Sequence, residues 1–78
     1  MTNMDELLER LNDLFPEIDF TRETRLMDGG LLTSLDLVML VTELNDAYEI
    51  EITSEELLSE NFNSAEAIWA LIRRMQEA

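Results

Sequence analysis

Apolar residues recur every three to four positions along much of the chain, the spacing of one face of an α-helix. Met4, Leu7, Leu8, Leu11, Leu14 and Phe15 predict a first helix from about Thr2 to Leu14. Asn3, with Glu6 three residues on, supplies a capping box for it. Pro16 ends it, because the residue before a proline is pushed out of helical geometry. Leu37, Leu40, Val41, Leu44 and Tyr48 form the inward face of a second helix that opens at Thr33-Ser34 and runs to about Tyr48. Thr33 and Asp36 make its capping box, which leaves Ser34 as the first helical residue. Ala65, Ile68, Trp69, Leu71, Ile72 and Met75 predict the last helix, capped by Asn63 or Ser64. Arg73 and Arg74 near its end complement the helix dipole.

The intervening stretches carry weaker periodicity. Residues 16–33 form a long connection pinned by Ile18, Phe20, Leu26, Met27, Leu31 and Leu32, with a strong turn at Asp28-Gly29-Gly30. Its length allows it to cross the domain, so that the helices on either side run roughly parallel. Glu49-Ile50-Glu51-Ile52 alternates like a strand, but no partner run exists, so it reads as an extended tether with both isoleucines inward. Thr53 and Glu56 cap a short third helix through about Ser59, followed by a loose loop, Ser59 to Asn63, in which Phe62 is a buried anchor. That loop is where the bundle would open between the second and third helices. The expected fold is all-α: a four-helix bundle with a long first loop and a short third helix, in a single domain over residues 1–78.

Composition narrows the chemistry. Eighteen acidic residues face five basic ones, a formal net charge of −13, and every basic residue is an arginine (Arg10, Arg22, Arg25, Arg73, Arg74). Such a surface repels nucleic acid and anionic lipid and is steered toward basic patches on other proteins. It also favours a monomer. No apolar run approaches the length of a membrane span, and the N-terminus has neither the basic start nor the apolar stretch of a secretory signal. The expectation is therefore a cytoplasmic protein without membrane insertion. With no histidine, cysteine or lysine, the usual general bases and covalent nucleophiles are missing. An enzyme is not expected, and any reactive group must come from outside the chain. No metal site is expected either, because no carboxylate cluster has the spacing of a calcium loop.

The informative segment is Asp28-Gly29-Gly30-Leu31-Leu32-Thr33-Ser34-Leu35-Asp36. A serine in the first turn of a helix sits beside free N–H groups at the positive end of the dipole, where a phosphodiester is stabilised. On local pattern alone, Thr33-Ser34 reads better as an ordinary pair of cap residues. The second helix also carries Leu35 and Met39 on its otherwise polar side, among Asp36, Glu43 and Asp46. Apolar grip with acidic flanks suits transient docking of a partner.

Over nearly its whole length the chain resembles the acyl carrier protein superfamily, closest to stand-alone D-alanyl and acyl carrier proteins. Gly30-Leu31-Leu32 and Ser34-Leu35 match the Gly-Leu-Leu turn and the Ser-Leu of the family's Asp-Ser-Leu motif. The likeness continues through Tyr48-Glu49-Ile50-Glu51-Ile52 and Phe62-Asn63-Ser64. The resemblance implies a non-enzymatic carrier, with 4'-phosphopantetheine attached to Ser34 and an acyl or aminoacyl group held on it as a thioester. It implies as partners a phosphopantetheinyl transferase, a loading enzyme such as an adenylating ligase, and a downstream acyl-accepting enzyme. It assigns docking to the second helix, hence to Leu35, Asp36, Met39, Glu43 and Asp46. One position departs from the pattern: the family's aspartate before the serine is Thr33. The alternative is an unmodified acidic adaptor that keeps the fold and only binds a protein partner. D-alanine, another amino acid, a fatty acyl chain and a polyketide unit all fit as cargo.

Overall fold

A computed structural model describes residues 3–77, and all regular structure within them is helical. The order is α1 (Met4–Leu14), α2 (Ser34–Tyr48), a single 3-10 turn (Ser54–Glu56), α3 (Ser59–Phe62) and α4 (Ala65–Glu77). This is the acyl-carrier type of bundle expected from the pattern. The start placed at Thr2 lies outside the described residues; α1 begins at Met4, where the Asn3 side chain accepts from the Glu6 N–H at 2.9 Å. Ser64 caps α4 in the same way, its hydroxyl accepting from the Ala67 N–H at 3.0 Å.

The core is built from the apolar stripes. Leu7 and Leu11 of α1, Leu37, Leu40, Leu44 and Tyr48 of α2, Phe62 of α3, and Ala65, Ile68, Leu71 and Ile72 of α4 are buried together. Phe20, Leu26 and Leu32 pin the long first connection to them, and Ile52 pins the tether after α2. No polar or charged residue is buried among the described residues. Leu31, expected as an anchor, is exposed instead.

Three expectations are corrected. First, α1 and α2 run antiparallel. Arg10 of α1 meets Glu43 and Tyr48 late in α2, whereas Leu14 and Phe15 at the end of α1 share a cavity wall with Asp36 at the start of α2. The long connection therefore returns to the end it left. Second, the third helix does not occupy Thr53–Ser59. The Thr53–Glu56 capping box closes, but on one 3-10 turn, after which Leu57 and Leu58 are exposed and the chain restarts as α3. The bonds from Thr53 hold the Glu56 carboxyl below its ordinary value. The stretch Ser59–Phe62 is consequently helical with Phe62 fully buried, and Asn63 closes it, so this is not a loose loop. Third, the tether is not simply extended. Glu49 takes a left-handed conformation (φ 54°, ψ 47°) to end α2, and Asn45 organises the turn by accepting from the Ile50 N–H with its carbonyl and from the Ile52 N–H with its side chain. Ile52 is buried and Ile50 half-buried.

Candidate functional site

Ser34 is the first residue of α2, and it is exposed. Thr33 before it is extended, and two reciprocal bonds close the cap: Thr33 Oγ1 accepts from the Asp36 N–H at 3.1 Å, and Asp36 Oδ2 accepts from the Thr33 N–H at 3.1 Å. The Leu37 N–H reaches the Thr33 carbonyl at 2.9 Å. Among the described residues nothing accepts from the N–H groups of Ser34 and Leu35, and nothing engages the Ser34 hydroxyl. Two free donors at the positive end of a 15-residue helix are an anion-receiving arrangement.

The turn that delivers the chain to Ser34 is fixed from a distance. Asn63, between α3 and α4, accepts from the Leu26 N–H with its carbonyl at 2.9 Å. Its side-chain oxygen accepts from the Met27 and Asp28 N–H groups, both at 3.0 Å, and its amide donates to Asp28 Oδ2 at 3.0 Å. The Leu26 carbonyl then accepts from both Leu31 and Leu32. Within this loop each glycine has a reason. A Cβ on Gly29 would lie 2.6 Å from the Arg25 carbonyl oxygen, and Gly30 has φ +79°. Asn63 was read from the sequence only as a possible cap for α4. Its role as a latch rests on partners 35 and 36 residues away, which local pattern does not reveal.

Residues 5–72 match the family described as the phosphopantetheine attachment site. The chain belongs to that family. It is similar to the D-alanyl carrier protein of Streptococcus uberis, 29% identical over the whole of both chains. It is also similar to the D-alanyl carrier protein of Lactococcus lactis subsp. lactis, 28% identical over 88% of this chain and 95% of that one. By that family the protein is a non-enzymatic phosphopantetheine carrier.

For such a carrier the surface beside Ser34 matters next. Leu35 is 70% exposed and Met39 48%, as the polar side of α2 suggested. Val38, 59% exposed between them, was not among the candidates, although its spacing of three from Leu35 puts it on the same face. Thr42 and Asp46 continue the exposed stripe toward solvent. The other two candidates face elsewhere. Glu43 is half-buried against α1, where Arg10 donates to it at 3.2 Å while reaching Glu6 at 3.5 Å. Asp36 is half-buried in the cap and lines a cavity. Arg10 also lies 5.6 Å from the centre of the Tyr48 ring, whose edge packs on Trp69. Burial pushes the Tyr48 phenol above its ordinary value, the Glu6 carboxylate adds to this, and the Arg10 guanidinium opposes it. Among the described residues no group of three or more acidic side chains is placed to hold a metal ion, and no helix is long and apolar enough to cross a membrane.

Proposed function

We propose that Ser34 carries the phosphopantetheine arm and that the protein holds an acyl or aminoacyl group for delivery to partner enzymes. The observation that carries this reading is the exposed Ser34 hydroxyl beside two unclaimed backbone N–H groups at the start of α2. The residues present fit the group. Ser34 is exposed to a transferase, the Ser34 and Leu35 N–H groups beside it are unclaimed and would receive the phosphodiester, and Gly29 and Gly30 add no side chains to the turn. When bound, the arm supplies a thiol on which cargo is held as a thioester, a nucleophile this sequence otherwise lacks. Thr33 keeps the capping role of the missing aspartate, and Asp36 restores one carboxylate to the cap, one turn inward.

Leu35, Val38 and Met39, with Asp46 on the same stripe and Asp36 at its edge, form the surface on which partner enzymes dock. An apolar patch set in a net charge of −13 selects partners with an apolar contact rimmed by basic residues. The partners are a phosphopantetheinyl transferase, a loading enzyme such as an adenylating ligase, and an acceptor enzyme. The names of the two relatives support an aminoacyl cargo, D-alanine first. The net charge of −13 supports a monomer.

The test is intact mass after incubation with coenzyme A, Mg²⁺ and a broad-specificity phosphopantetheinyl transferase. The expected result is a gain of one phosphopantetheine on the parent and none on Ser34→Ala. A gain on both variants overturns the assignment to Ser34. No gain on either, with the protein folded and a control carrier modified, favours the unmodified adaptor, for which Thr33 is the one observation. The mass of the protein taken from its native host then decides between that reading and a transferase dedicated to the Thr33 sequence.

A further inference from the structure

A cavity of about 450 Å³ opens where the end of α1 meets the start of α2. Leu14, Phe15, Ile18 and Leu31 give it apolar walls, and Glu17 and Asp36 line it with carboxylates. Its volume is that of a small-molecule site. Asp36 and Leu31 lie two residues after and three residues before Ser34, so the cavity is within reach of anything tethered there. No arginine lines it, and neither Glu17 nor Asp36 forms an ion pair among the described residues. Asp36 uses only Oδ2 in the cap, which leaves Oδ1 without a protein donor.

We propose that this cavity is the resting site for the cargo end of the arm, and that it takes cargo bearing a free ammonium, as an aminoacyl group does. The inference rests on the reading that Ser34 carries the arm. Its content is a site and a charge preference. Glu17 and the free oxygen of Asp36 receive the ammonium, while the apolar walls receive a small side chain. A cargo ending in a carboxylate is repelled by the same two groups, with no basic side chain in the lining to offset them. A neutral acyl group gains the apolar contact but not the charge pairing.

The experiment compares three forms of the ¹⁵N-labelled protein, each loaded by a transferase from a coenzyme A analogue. One carries the bare arm, one a D-alanyl group and one a propionyl group, both joined through an amide in place of the thioester. Relative to the bare arm, D-alanyl is expected to shift the backbone amides of Glu17, Ile18, Leu31 and Asp36, and propionyl to shift them several-fold less. Glu17→Gln is expected to lower the D-alanyl occupancy roughly two- to five-fold, the scale of one solvent-facing ion pair, and added salt to act in the same direction. Equal shifts from D-alanyl and propionyl, or shifts confined to α3 and the far side of α2, would overturn the proposal. Intact mass on the same samples separates the two levels. If Ser34 takes no arm, both readings fall; if it is loaded and these amides stay still, only the resting site does.

Discussion

The two ends of α2 are made of similar residues and do opposite things. At its C-terminal end, Leu44 and Tyr48 are buried, Glu43 is tied to Arg10 of α1, and the Tyr48 ring is wedged between Arg10 and Trp69. At its N-terminal end Leu35, Val38 and Met39 stand in solvent, and among the described residues the side-chain bonds there are those of the cap and one from the Thr42 hydroxyl to the Val38 carbonyl. Leu37 and Leu40 keep the inner face of this end in the core, so what differs is the outer face, which is apolar and offered to solvent only here. A rigid site on a regular element is positioned more precisely than one on a loop. The buried half of α2 gives Ser34 that rigidity while leaving the serine itself free of packing.

The largest effect should come from breaking the anchored end. Leu44→Ala removes a fully buried side chain and is expected to cost about 2–5 kcal/mol in chemical denaturation. Leu35→Ala, at the exposed end, should stay within about 0.5 kcal/mol and instead weaken partner docking, read as slower loading by the partner enzyme. If the two changes cost the same, the contrast between the ends is wrong. Next in size is Asn63→Ala, which strips the acceptor from the Met27 and Asp28 N–H groups. The expected loss is about 1–3 kcal/mol, with faster hydrogen exchange at those two amides.

The Arg10–Glu43 pair should contribute less. Its side chains are 35% and 37% exposed, so solvent screens it, and a double-mutant cycle is expected to return about 0.2–1 kcal/mol, falling with added salt. The smallest effect sharpens the comparison by pH. Tyr48 is the only tyrosine, so tyrosinate absorbance reports it alone. Its pKa in the folded protein is raised above 10.0, chiefly by burial, so the unfolded chain loses the proton first. The stability it contributes is complete below the ordinary tyrosine range and is lost as pH rises from there through the raised value. A Tyr48 titration at or below the ordinary value would show that this end of the helix is open to water.

What the sequence made legible was local. The cap of α2 is a reciprocal bond between residues three apart, and the stripes of α1, α2 and α4 are set by spacing, so both are visible in single windows. The position of Ser34 followed from the cap. The third helix was misplaced because Thr53 and Glu56 signal a start but not a length, and the capping box closed on a 3-10 turn before Leu57 and Leu58. Glu49 in the left-handed region was hidden by the alternation of Glu49–Ile52, which looks like a strand. The direction of α2 relative to α1, the Asn63 latch and the capture of Glu43 by Arg10 all depend on residues more than thirty positions apart. Amphipathic spacing constrains which face is inward, not what that face meets. For the same reason Glu43 could be read as a docking residue when its nearest partner is on α1.

The edge-on contact between Tyr48 and Trp69 gives the molecule an internal optical gauge. Trp69 is the chain's single tryptophan, and Tyr48 lies fourteen residues along α2 from Ser34, about 21 Å at the helical rise. Trp69 emission is therefore expected to respond to the integrity of the packed end and, on the reading that Ser34 carries the arm, to stay unchanged by what is attached there. A fluorescence melt of the bare, armed and cargo-bearing forms reads stability on one common scale, with no label needed and no correction for the load.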